Sequence, residues 1–130
     1  MNGRIVLMAA ELSAAVACGG SKNNPLAPDT GGPGPSGATI TLTTAGSVSP
    51  AAVTVAVGQS VSFVNASTRP FQIDSNPHPE HGDCPAINAV NFIQPGQTKL
   101  TNAFSKTAVC GFHDHNDPEN ANLKGTITIQ

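Results

Sequence analysis

Two short segments concentrate the side chains able to hold a metal ion: Cys110-Gly111-Phe112-His113-Asp114-His115, and Asn76-Pro77-His78-Pro79-Glu80-His81-Gly82-Asp83-Cys84-Pro85. All four histidines of the chain lie in them, as do both cysteines beyond the N-terminal region. Imidazole and thiolate suit copper or zinc, whereas a cluster of carboxylates alone would suit calcium or magnesium. The chemistry expected is binding of one metal ion, copper or zinc.

His113 and His115 are two residues apart, so an extended backbone turns both to one side and Asp114 to the other. Asp114 is then expected as an outer partner that fixes an imidazole tautomer. Pro79 biases His78 toward extended geometry, and Pro77 and Pro79 together stiffen the loop, which lowers the entropy lost when a ligand is fixed. The expected ligand set is His78, Cys110, His113 and either His81 or His115. Cys110 has a second reading, a disulfide with Cys84, which leaves the ion to histidines alone. Five of the domain's six acidic residues, Glu80, Asp83, Asp114, Asp117 and Glu119, stand in or next to these segments, a placement that would steer a cation or a basic protein toward them.

With 130 residues and a formal charge of -2, the chain has room for one domain and no charge that calls for nucleic acid as a partner. Arg4 precedes a mostly apolar run, Ile5 to Ala17, too short to span a bilayer and read as a secretory signal over residues 1–18. Its end, Ala15-Val16-Ala17-Cys18-Gly19-Gly20, resembles a bacterial lipoprotein cleavage site with Cys18 as the lipid-bearing residue. Residues 19–37, rich in Gly and Pro, cannot bury enough surface to offset chain entropy and read as a disordered tether. The expected location is the bacterial cell envelope, after export, with a lipid as the only membrane attachment.

From 38 to 130 the pattern is all-β. Alternation of polar and apolar residues marks strands at Thr39–Thr43, Val53–Val57 and Val61–Val64, and further strands are expected at Arg69–Ile73, Ala89–Ile93, Thr98–Phe104, Thr107–Cys110 and Gly125–Ile129. No stretch of ten or more residues has helical periodicity, so the domain is expected to be a β-sandwich.

Ser47-Val48-Ser49-Pro50, Val53-Thr54-Val55, Gly58-Gln59-Ser60-Val61, Phe63-Val64-Asn65, Pro95-Gly96-Gln97, Cys110-x-x-His113 and Leu123-Lys124-Gly125-Thr126 together resemble a cupredoxin over nearly all of 45–130. The resemblance implies a Greek-key β-sandwich of cupredoxin type, a monomeric copper protein working in electron transfer with a redox partner, or in copper handling. It also implies a copper held by an early histidine, a cysteine, a second histidine and an axial methionine. Cys110 and His113 match two of these; Phe71 and Leu123 stand where the early histidine and the methionine would be. Two other readings accompany it: a metal-free, disulfide-stabilised structural sandwich, and a copper enzyme, because Gly111-Phe112-His113-Asp114-His115 is similar to a Gly-Phe-His-x-His piece of copper/zinc superoxide dismutases. If Cys18 carries lipid, the chain fractionates with membranes and a Cys18→Ala variant moves to the soluble fraction; membrane retention of that variant contradicts the anchor.

Overall fold

A computed structural model describes residues 32–130. The leader, Cys18 and the tether up to residue 31 lie outside the described residues. Where apolar residues alternate, strands form with one face inward. In chain order they are β1 (Ser36–Leu42), β2 (Val48–Ser49), β3 (Ala52–Val55), β4 (Ser60–Asn65), β5 (Phe71–Ser75), β6 (Asn91–Ile93), β7 (Thr98–Leu100), β8 (Ala108–Asp114) and β9 (Lys124–Ile129). Two 3₁₀ turns, Ile87–Ala89 and Ala121–Leu123, precede β6 and β9. Glycines with positive φ make the tight turns before β4 and β7: Gly58 at 89° and Gly96 at 78°.

The strands form two sheets, one in the order β2-β1-β4-β7 and the other β3-β9-β8-β5-β6. Most pairs are antiparallel, but β1 runs parallel to β4 and β3 parallel to β9. The inward faces meet in one apolar core. Ile40, Leu42, Val61 and Phe63 of the first sheet and Phe71, Ile73, Phe112 and Ile127 of the second are fully buried, each stabilising the fold by roughly 1.5–3 kcal/mol relative to exposure. The Phe63 and Phe112 rings meet edge to face across the sandwich, 5.2 Å apart at 86°. Asn65 braces the crossing between sheets: its amide donates to the carbonyls of Arg69 and Ile93, and its oxygen accepts from Ser67.

Three boundaries differ from the alternation pattern in ways that bear on function. The expected edge strand Ala89–Ile93 begins only at Asn91, because the 3₁₀ turn occupies Ile87–Ala89. The strand expected to stop at Cys110 continues to Asp114, because Phe112 extends the inward alternation and β8 stays paired with β9 up to His113 and with β5 up to Asp114. The fold also starts ahead of Ala38. Gly34 N–H donates to Ser60 Oγ, Ser60 N–H to the Pro35 carbonyl and Ala103 N–H to the Gly32 carbonyl, and β1 itself begins at Ser36. Residues 32–37 thus belong to the sandwich, although their Gly-Pro composition reads as tether.

A fragment starting at Gly32 should therefore unfold cooperatively and be more stable than one starting at Ala38, by about 2–3 kcal/mol for three lost hydrogen bonds at roughly 1 kcal/mol each. Coincident denaturation midpoints for the two fragments would show that residues 32–37 contribute nothing.

Candidate metal centre

The site is built on the second sheet, where β5 and β8 pair in the register Ile73↔Asp114, Asp74↔His113, Ser75↔Phe112. Because Phe71, Ile73, Cys110 and Phe112 point into the core, the intervening Asp74, Gly111 and His113 face outward. The loop after β5 folds back over this outward face. Asn76 lies against Gly111, where any added Cβ would collide with the Asn76 amide, and from there Asn76 Oδ1 reaches His113 Nδ1 at 2.8 Å.

His78 and His81 come from this loop, and His113 and His115 from the end of β8 and just beyond it. One ligand nitrogen from each lies within 4.8 Å of all the others, and the His78 and His81 rings stand 4.9–5.5 Å, centroid to centroid, from each other and from the rings of His113 and His115. Four nitrogens at about 2.0–2.1 Å from one ion are separated by at most about 4.2 Å. Modest inward shifts of the side chains would bring all four onto a single cation.

Hydrogen bonds set the tautomers. Asn76 Oδ1 only accepts, so His113 Nδ1 carries the proton and Nε2 bears the lone pair. The Ser75 carbonyl, 2.9 Å from His81 Nδ1, fixes His81 in the same way. His115 Nδ1 lies 3.0 Å from His81 Nε2 and 3.5 Å from Asp74 Oδ2. His81 has a left-handed backbone, φ 53°, costly for a residue with a side chain; its carbonyl is tied down by Ser75 Oγ–H and Asn88 Nδ2–H.

Buried at 1% exposure, His113 Nε2 has no hydrogen-bond partner. A buried polar atom left unpaired costs about 1–3 kcal/mol, and a cation ringed by the other imidazoles satisfies it. Burial holds the His113 pKa below 6.5, assisted by His81 and His78 and opposed by Asp74. This ring is kept in the neutral, ligating form.

The donor set departs from expectation in three respects. Cys110 is bonded to Cys84, with Cα atoms 5.8 Å apart, and brings no thiolate. The reason is parity: Cys110 and His113 are three residues apart on one strand, so they face opposite sides of the sheet. The bridge contributes about 3–4 kcal/mol on the chain-entropy account and fastens the histidine loop to β8. Secondly, both His81 and His115 join His78 and His113, where only one of them was expected. Thirdly, Asp114 holds no imidazole. It turns inward, fully buried, accepting from the Gln72 and Asn116 N–H groups with Arg69 at 3.6 Å. Phe71 and Leu123 are core residues.

The outer partners are instead Asn76, Ser75 and Asp74. Asp74 is the carboxylate that reaches the cluster, 3.5 Å from His115 Nδ1. Strand parity carries the signal for it, since Phe71 and Ile73 inward leaves Asp74 outward, facing whatever stands across from it.

No family model and no curated protein matches the sequence. Solved structures do share the fold. The chain is similar to a purple cupredoxin from Nitrosopumilus maritimus, at 22% identity and a TM-score of 0.54 over 72% of this chain and 99% of that one. It is similar to plastocyanin from Dryopteris crassirhizoma, at 19% identity and a TM-score of 0.55 over 71% of this chain and 99% of that one. An amicyanin mutant in its Cu(I) form gives 12% identity and a TM-score of 0.56 over 72% and 82%. The architecture is thus an all-β cupredoxin sandwich, carrying a cluster of four histidines able to hold a metal ion.

The His113 pKa carries a stability consequence for the metal-free domain. As pH falls from 7, the unfolded chain protonates this imidazole near 6.5 while the folded domain resists, so the unfolded state binds more protons and stability declines. The decline levels off once pH passes below the lowered folded value. Thermal unfolding of metal-free protein between pH 7.5 and 5 should show this loss, reduced in His113→Gln; an equal loss in that variant would remove His113 as its source.

Proposed function

We propose that the domain binds one copper ion through His78, His81, His113 and His115 and serves in copper handling in the bacterial cell envelope, anchored through Cys18. The observation that carries this reading is the buried, unpartnered Nε2 of His113 with three further imidazoles around it. Imidazole binds both zinc and copper, and a fixed nitrogen site prefers Cu(II) over Zn(II). The fold's copper-containing neighbours point to the same ion.

Each residue has a distinct part. Asn76 and the Ser75 carbonyl hold the His113 and His81 rings with their free nitrogens toward the cluster, and Asp74 Oδ2 stands 3.5 Å from His115 Nδ1. The ion, when bound, supplies a Lewis-acidic, redox-active centre. With Cys110 in a disulfide and Leu123 in place of a thioether, the donor set is nitrogen alone, which suits taking up and passing on copper. Electron transfer with a redox partner protein is the second reading, favoured by the fold likeness and by the exposure of His78 at the surface.

Titration with Cu(II) should give one equivalent bound, a pale spectrum without an intense visible band, and magnetic-resonance splitting from several imidazole nitrogens. His113→Ala should weaken binding by at least about tenfold, since it removes one coordinate bond, whereas Glu80→Gln should change it little. An intense visible band, or equal affinity in a His78→Ala, His113→Ala double variant, would overturn the proposal.

A further inference from the structure

The histidine cluster is closed on some sides and open on one. His81 packs against His115 and Ser75, and His115 against Asp74. On the other side, His78 and His113 border a cavity of about 250 Å³ whose wall also includes Asn76, Pro77, Glu119 and Lys124. At roughly 30 Å³ per water molecule, this space holds several waters or a small ion and is too small for a drug-sized organic ligand.

Lys124 is the cation of this wall. It is the partner of His113 across the β8–β9 ladder. Since Ile127 and Ile129 point inward, Lys124 shares the outward face with His113. Its ammonium stands 3.9 Å from Glu119, a loose pair whose carboxylate is 94% exposed and free to swing into solvent. A divalent ion on four neutral imidazoles keeps its full charge, and Lys124 adds a further positive charge on the open side. Asp74 lies beyond His115, away from the cavity lining.

We propose that this cavity admits a second ligand to the metal, a small monoanion that Lys124 holds against the His78–His113 side of the cluster. The site therefore takes up an exogenous anion as well as a cation. This inference rests on the copper reading above. His113, buried and with its Nε2 unpaired, belongs both to the cluster and to the cavity wall, so an anion entering there stands beside residues that would hold the ion.

The test uses the full chain loaded with Cu(II) and azide as the probe anion, with copper content measured in every sample. Azide should bind saturably, giving an azide-to-copper charge-transfer band and a change in the Cu(II) magnetic-resonance spectrum. Lys124→Met should weaken azide binding roughly three- to tenfold per bound copper, with Lys124→Arg restoring most of it, and the difference should shrink as salt screens the ammonium. Glu119→Gln, which frees the ammonium, should tighten it. Equal azide affinity in native protein and Lys124→Met at low salt would overturn the proposal while leaving copper binding intact, as would the absence of any azide-dependent band. Absence of bound copper in the native chain would overturn both readings, and the copper measurement tells these failures apart.

Discussion

Everything about the candidate site depends on the register of β5 against β8. In a strand the side chains alternate, so the pairing of Asp74 with His113 and Ser75 with Phe112 sends Phe112 into the core and His113 to the outer face. A slip of one residue would exchange the two, exposing an aromatic ring and burying an imidazole among Phe63 and Ile127. The edge-to-face contact of Phe112 with Phe63 and the disulfide at Cys110 both penalise that slip. Core packing on one face of β8 thus fixes the donor on the other.

The same strand divides two tasks. Its inward residues, Cys110 and Phe112, supply stability; its outward residues, Gly111 and His113, with His115 beyond the strand end, supply the site. Gly111 belongs to the second group because its missing side chain leaves room for Asn76, which orients His113. The histidine loop is held at both ends on β8, by sheet pairing at Ser75 and by the bridge from Cys84. A short loop fixed at two points loses little further entropy when its imidazoles are gathered.

Gathering them has a cost that folding alone does not recover. Four imidazoles crowd within 4.8 Å of one another at their ligand nitrogens, one buried nitrogen lacks a partner, and His81 adopts a left-handed backbone. These features destabilise the metal-free domain, and a cation relieves the first two. Local violations of folding rules that a single ligand would resolve are the physical signature of a binding site rather than of a core.

The sequence by itself determined the architecture, because period-2 alternation with Gly and Pro at the turns leaves only a sandwich for a chain with no helical periodicity. It also determined the candidate donors, because all four histidines are confined to two segments. What it left open was every question decided by facing. In sequence Cys110 suits ligand or bridge equally; the continuation of β8 to Asp114 places Cys110 and His113 on opposite faces and decides for the bridge. Asp114 neighbours the imidazoles in sequence while Asp74 reaches them only through the pairing of β5 with β8, which the sequence does not display. The Gly-Pro segment at 32–37 has the composition of a tether for the same reason: its stabilising partners, Ser60 and Ala103, are far away along the chain. Composition and period are local properties and survive in the bare sequence. Register, parity relative to a partner and the closure of a loop are relations between distant residues, and only the tertiary structure decides them.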